Sequence, residues 1–168
     1  MKNFHVAIVG GGVIGSAIAW ELSKYKIDTV VFEKGSDVAS GSSKANSGVI
    51  HSGINSASGS LKAKFCVQGN KMLQLLSEQL GFKIKWVGKY VIAKEDSEIK
   101  DLERLKKVGE KNGVAGLKLV DGKFVNKKEP NAVCNKALWV SNAGIMLPYE
   151  FTIALAENAA INLSLIHI

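Results

Sequence analysis

The feature that most restricts the fold of this chain is a glycine triplet, Gly10-x-Gly12-x-x-Gly15, set between an apolar run and a helical period. Val6, Ala7, Ile8 and Val9 are continuously apolar and stop at glycine, which predicts a short buried strand over residues 5–9. From Val13 to Lys24, Ile14, Ala17, Ile18 and Leu22 recur at three- and four-residue spacing, predicting a helix with those four as its buried stripe. Thr29 to Phe32 reads as a second strand, closing a strand-helix-strand unit whose crossover is right-handed. In such a unit the first glycine permits the tight turn, the second lets backbone approach a pyrophosphate, and the third lets helix pack closely on strand. The helix N-terminus offers unpaired N–H groups to the phosphates. Glu33 follows Gly15 by eighteen residues, close to the ~20 at which an acid reaches an adenosine ribose. The pattern specifies an adenine dinucleotide. It leaves FAD and NAD open, because both present that ribose and pyrophosphate.

Composition narrows the remaining classes. With 46% hydrophobic and 22% charged residues the chain is globular in character, neither disordered nor fibrous. The formal charge is +7, and every Lys+Arg residue except Arg104 is a lysine. Duplex readers favour arginine forks and cluster their charge. Here the lysines between Lys83 and Lys128 alternate with Glu95, Asp96, Glu98, Asp101, Glu103 and Glu110, the pattern of a solvated helix face, so no nucleic-acid partner is expected. A positive excess suits a small anionic substrate. Cys66 and Cys134 stand far apart without His or Cys neighbours, which predicts reduced core thiols and neither a metal site nor a disulfide framework. Lys2 followed by the apolar stretch from Val6 to Trp20 imitates a secretory signal, but Gly10, Gly11 and Gly12 would weaken a signal helix at its centre. No run reaches the ~18 uncharged apolar residues of a membrane span. The expected location is cytoplasmic, with attachment to a membrane surface left open for a longer parent.

The stretch from Gly35 to Gly59 is rich in Ser, Gly, Ala and Asn and far longer than an ordinary connection, as though it wraps a ligand. Leu61, Phe65, Met72, Leu73, Leu76 and Leu80 predict a helix over Leu61–Leu80 stopped by Gly81. A strand is expected from Trp86 to Ala93 and a charged amphipathic helix from Ser97 to Gly109. A pair of short strands from Leu117 to Val125 should flank an Asp121-Gly122 turn, and a last helix should run from Pro148 to Ala160, with the proline near its start. Trp86 and Trp139 read as core aromatics. After Asn162 an alternating α/β chain should pass through a turn into another strand. The final six residues, Leu163 to Ile168, instead match what a transposase-end sequencing adapter encodes in one reading frame. They are therefore expected to be a non-native tail on an N-terminal fragment.

Residues 6–25 and 29–54 resemble the N-terminus of the FAD-dependent oxidoreductases related to D-amino-acid oxidase. Within that group, SKANSGVIHSGI together with GSLKAKFCVQGN is most similar to FAD-dependent glycerol-3-phosphate dehydrogenases and L-2-hydroxyglutarate oxidases. The segment ALWVSNAGIMLPYEFTIALAENAA resembles the one by which the family returns from substrate domain to flavin domain. The resemblance implies a Rossmann-like FAD-binding domain, incomplete, with part of an inserted α+β substrate domain. Residues 1–81 would be the first part of the former, 82–147 the latter and 148–162 a returning helix. It also implies FAD held at its pyrophosphate by Gly10, Gly12, Val13, Ile14 and Gly15, and at its ribose by Glu33 and Lys34. Ser42, Ser43 and Lys44 would pass the pyrophosphate and ribityl chain, and Asn46, Ser47 and His51 would approach the isoalloxazine ring. His51 is equally readable as a flavin contact, a substrate contact or a structural histidine. The implied reaction is hydride transfer from a small anionic 2-hydroxy compound, with quinone, protein carrier or oxygen as acceptor. Two alternatives stay open: an amine or amino-acid oxidase of the same group, and a dinucleotide-binding module without catalysis.

Overall fold

The computed structural model describes residues 3–162 and 165–167. In chain order the elements are β1 (Val6–Val9), α1 (Val13–Leu22), β2 (Thr29–Phe32), β3 (Val49–Ile50), α2 (Leu61–Leu80), β4 (Ile84–Lys85) and β5 (Lys89–Ala93). A 3₁₀ turn at Asp96–Glu98 then leads into α3 (Ile99–Lys111), followed by β6 (Leu117–Asp121) and α4 (Gly122–Asn126). The chain continues through β7 (Lys136–Val140), β8 (Gly144–Met146), α5 (Pro148–Ile161) and β9 (Leu165–His167). Two compact units emerge. The first comprises Met1–Gly48, Leu76–Lys83 and Met146–Ile168, and the second Val49–Leu75 and Ile84–Ile145.

The first unit is a parallel sheet in the order β1-β2-β9, with Val6 opposite Thr29 and Val9 opposite Phe32. Its core joins Ile8, Ala19, Val31 and Ala159, with Val6, Trp20 and Leu22 packed around them. Phe82 stacks on Phe151 with ring centroids 4.6 Å apart. The bounds of α1 and β2 follow the sequence pattern, but the buried face of α1 does not. Ser16 and Ala19 face inward, whereas Ile14 is 74% and Ile18 45% exposed. The reason is the partner: α1 packs along α5, and helices approach closely where side chains are small. Ile14 and Ile18 are turned away.

The second unit is built on an antiparallel sheet in the order β5-β7-β6, in which Tyr90 and Lys118 both face Trp139 in register. Leu102 of α3 joins Ala93, Leu138, Val140, Ile54, Val114 and Ala143 in its core. The outer face of α3 carries the expected charge, with Asp101–Arg104 and Lys106–Glu110 ion pairs. A second sheet orders β3-β8-β4.

Several expectations need correction. Of the strand predicted over Trp86–Ala93 only Lys89–Ala93 (β5) forms; residues 86–88 are irregular and part it from β4, which lies before the predicted start, with the break at Gly88. There φ is +68°, and any Cβ would overlap the Trp139 ring. The Asp121-Gly122 pair is no hairpin turn: Asp121 accepts from Phe124 N–H at 2.8 Å and caps α4. Helix α2 has the predicted bounds, yet Leu61, Phe65 and Met72 are exposed while Ala63 and Asn70 are buried. Trp139 packs on Tyr90 as a core aromatic should, but Trp86 lies at the surface. Cys66 and Cys134 are free and half-buried. Beyond α5 the backbone of Leu165–His167 runs parallel to β2, while residues 163, 164 and 168 lie outside the described residues.

Candidate functional site

The turn between β1 and α1 gathers most of the residues singled out above. Gly10 has φ +104°, a conformation that favours glycine, and its N–H donates to Phe32 C=O at 2.7 Å. Gly12 has φ −75° and ψ 179°, open to any residue, and a Cβ there would point at Ser43 Oγ, 3.1 Å away. Gly15 has a third reason to lack a side chain: a Cβ would overlap the Gly10 carbonyl oxygen and press on Ile8. Glu33 completes the turn from the end of β2. Its Oε2 accepts from Gly11 N–H at 2.6 Å and its Oε1 from Gly35 N–H at 2.7 Å. Those two N–H groups, the Gly35 bond first, hold its carboxyl below the usual carboxylate range against a smaller opposing effect of burial.

The loop after β2 is tied to the same turn. Ser43 Oγ accepts from Val13 N–H at 2.9 Å, satisfying one of the first-turn groups for which a helix has no internal acceptor. Ala39, at φ +61°, donates its N–H to Gly11 C=O at 3.0 Å. It is the single positive-φ residue other than glycine among the described residues, and such strain clusters at ligand clamps. Asn46 clasps its own loop, donating to the carbonyls of Ser42 and Ser43 and accepting from Gly48 N–H. The side chains of Ile14, Lys34, Ser42, Lys44 and Ser47 are exposed.

His51 belongs to the second unit. Asn70, a buried residue of α2 that the sequence pattern did not single out, donates Nδ2–H to His51 C=O at 3.3 Å and to Asn142 C=O at 2.8 Å. It is one of four amides in α2, with Gln68, Gln74 and Gln79, so the sequence pattern carries no signal that singles it out. His51 lines a pocket of about 190 Å³.

Residues 5–162 match the family described as FAD dependent oxidoreductase. The chain belongs to that family. Glycerol 3-phosphate dehydrogenase of Caloramator mitchellensis is 44% identical over 161 residues, covering 95% of this chain and 34% of the relative. The mitochondrial L-2-hydroxyglutarate dehydrogenase of Homo sapiens is 39% identical over 159 residues, 94% of this chain and 34% of the relative. Among solved structures, dithionite-reduced L-alpha-glycerophosphate oxidase from Mycoplasma pneumoniae with FAD bound superimposes with a TM-score of 0.93 at 32% identity. It covers 99% of this chain and 45% of that one. Glycine oxidase from Geobacillus kaustophilus gives 0.86 at 26%, covering 99% and 47%. This FAD-dependent oxidoreductase chain thus spans about a third of the length of these curated relatives.

The residues present fit FAD. A Cβ on Gly10 would meet nothing within 4 Å, so the turn opens onto free space. Each Glu33 oxygen spends one lone pair on a backbone N–H and keeps another for a ribose hydroxyl. The ordered loop from Val38 to Gly48 is anchored to the helix N-terminus rather than free of it. Among the described residues no cluster of three or more His, Cys, Asp or Glu is arranged to hold a metal, and no helix is long and apolar enough to cross a membrane.

Proposed function

We propose that this chain is the FAD-binding portion of a dehydrogenase or oxidase acting on a small anionic 2-hydroxy compound, of the kind represented by glycerol 3-phosphate and 2-hydroxyglutarate. The observation that carries the reading is its high identity, along nearly its whole length, to dehydrogenases named for those two compounds. In this reading Gly10, Gly12 and Gly15 leave room for the pyrophosphate, and the N-terminus of α1 supplies N–H donors at Val13 and Ile14. Glu33 accepts from the ribose, with Lys34 beside it. Ser42, Ser43 and Lys44 follow the pyrophosphate and ribityl chain, while Asn46, Ser47 and His51 face the ring. FAD supplies the hydride acceptor; the protein supplies orientation and charge. The final electron acceptor, whether quinone, carrier or oxygen, is no part of the assignment. A cytoplasmic location belongs to the same reading and rests on the two free thiols.

Anaerobic titration of the full-length flavoprotein tests it. Glycerol 3-phosphate or L-2-hydroxyglutarate should bleach the visible flavin band stoichiometrically. Bleaching by glycine or proline instead would move the assignment to amino-acid oxidation, and a colourless protein would refute flavin chemistry altogether.

A further inference from the structure

The pocket beside His51 is walled by the turn from His51 to Ser56, by Lys62 and Cys66 of α2, and by Lys89 of β5. All of these residues lie in the second unit. At about 190 Å³ it has room for roughly six waters at ~30 Å³ each, which suits a phosphate or carboxylate head and excludes a nucleotide.

Three independent features give it a positive, donor-rich lining. Ser52 is 0% exposed and its Oγ has no hydrogen-bond partner, so a fully buried hydroxyl is left unsatisfied at the pocket wall. Buried polar groups are almost always paired, and an exception calls for a ligand or other cause. Lys62 sits in the first turn of α2, which carries no acidic residue. A cation there adds to the positive end of the helix dipole instead of opposing it, an arrangement that an anion relieves. Lys89 is half-buried, and desolvation pushes its ammonium below the ordinary lysine range. Neither lysine has an ion-pair partner among the described residues, and no carboxylate lines the pocket.

The wall is also fixed in place. Asn112 donates to Gly53 C=O at 3.0 Å and to Ser56 C=O at 2.8 Å, while Asn70 holds His51 C=O. Between them Ile54 is buried in the core of the unit. Such a turn keeps its backbone in place when a ligand arrives.

We infer that this pocket is an oxyanion subsite, in which Lys62, Lys89 and the Ser52 hydroxyl receive the phosphate or carboxylate of the substrate beside His51. The assignment rests on the function proposed above for its substrate, but on the pocket alone for its anion.

Calorimetry with inorganic phosphate on the full-length flavoprotein reads the anion directly. Lys62→Gln and Lys89→Gln should each weaken phosphate binding about tenfold or more, the scale of one charge-assisted hydrogen bond. Ser52→Ala should weaken it less, and Lys62→Arg or Lys89→Arg should restore much of the affinity. Lys64→Gln, one turn-neighbour outside the pocket, should bind phosphate as the wild type does. For the substrate that the protein oxidises, the two glutamine variants should raise KM by a similar factor with a much smaller change in kcat, the mark of lost ground-state binding. Flavin content and melting temperature should match the wild type and certify folding. Unchanged phosphate affinity in folded Lys62→Gln and Lys89→Gln overturns the inference. Weakened phosphate binding with an unchanged KM makes the pocket a site for free phosphate and overturns its assignment to substrate. Lysine-dependent phosphate binding in a protein that oxidises no 2-hydroxy compound upholds the anion site while overturning the functional reading.

Discussion

Gly12 and Gly15 lie in one motif, yet the structure gives them different reasons to be glycine, and substitution separates those reasons. At Gly15 the nearest neighbour of an added Cβ is backbone, the Gly10 carbonyl, so α1 must withdraw by about 1 Å or the turn must open. Overpacking of this kind costs ~1–3 kcal/mol, against a helix-propensity gain for Gly→Ala of at most ~1 kcal/mol. Gly15→Ala should therefore destabilise the protein by a net ~1–2 kcal/mol, with or without cofactor. At Gly12 the backbone suits any residue and the neighbour is the Ser43 hydroxyl at 3.1 Å, which can rotate away. Gly12→Ala should leave the melting temperature of the apoprotein nearly unchanged while filling the space in which the pyrophosphate would lie. Gly41→Ala is the control, since its Cβ would meet nothing within 4 Å. Paired measurements decide the matter: thermal melts of the apoprotein, and FAD titration followed by flavin fluorescence. Normal FAD affinity in Gly12→Ala and in the bulkier Gly12→Val would remove the turn from the cofactor site. A Gly15→Ala protein as stable as wild type would refute the steric argument.

Three further outcomes follow from the same geometry. Because the Glu33 carboxyl is held below its ordinary range, its contribution is complete above that range and is lost as pH falls through the lowered value. Melting curves of wild type and Glu33→Gln should therefore converge on acidification, and parallel curves would show that the carboxylate does nothing for the turn. Asn70→Ala leaves the carbonyls of His51 and Asn142 without their buried donor, and should cost ~1–3 kcal/mol by denaturant titration. A loss below ~0.5 kcal/mol would mean that water replaces the amide. Expressed by itself, the 168-residue chain should aggregate and carry no stoichiometric flavin, because Val9, Ile14, Ile18 and Phe32 are exposed on the first unit. A monodisperse, cooperatively melting, flavin-loaded preparation would refute that.

Local signals were legible where one residue type has one physical meaning. The stop at Gly10, the β-branched run Thr29–Phe32 and Gly81 after α2 each fix a boundary without reference to the rest of the chain. Faces were harder to read, because periodicity rewards large apolar residues. The side of α1 that meets α5 is chosen for smallness, so Ser16 and Ala19 win over Ile14 and Ile18. Asp121-Gly122 misled for a related reason: the same pair that makes a hairpin turn also starts a helix, and only the neighbouring Cys134 carbonyl, which a Cβ on Gly122 would overlap, shows how tightly the chain is gathered there. The glycine turn with Glu33 was readable because its parts stand at motif spacing. Lys62, Lys89 and Ser52 were not, since a turn, a helix and a strand distant in sequence must fold before they share one cavity.

The way the first unit is assembled has a consequence for the order in which the protein is made. Its pieces come from the two ends of the chain, with nearly all of the second unit translated between them. A ribosome adding ~5–20 residues per second needs roughly 6–23 s to go from Gly48 to Ile161. Through that interval β1, α1 and β2 exist without the helix that covers Ala19, while the described segments of the second unit are all made by Ile145, before α5 is complete. Nascent chains should therefore pass through a stage in which the described segments of the later-begun unit are all present while the earlier-begun one still lacks the cover of α5.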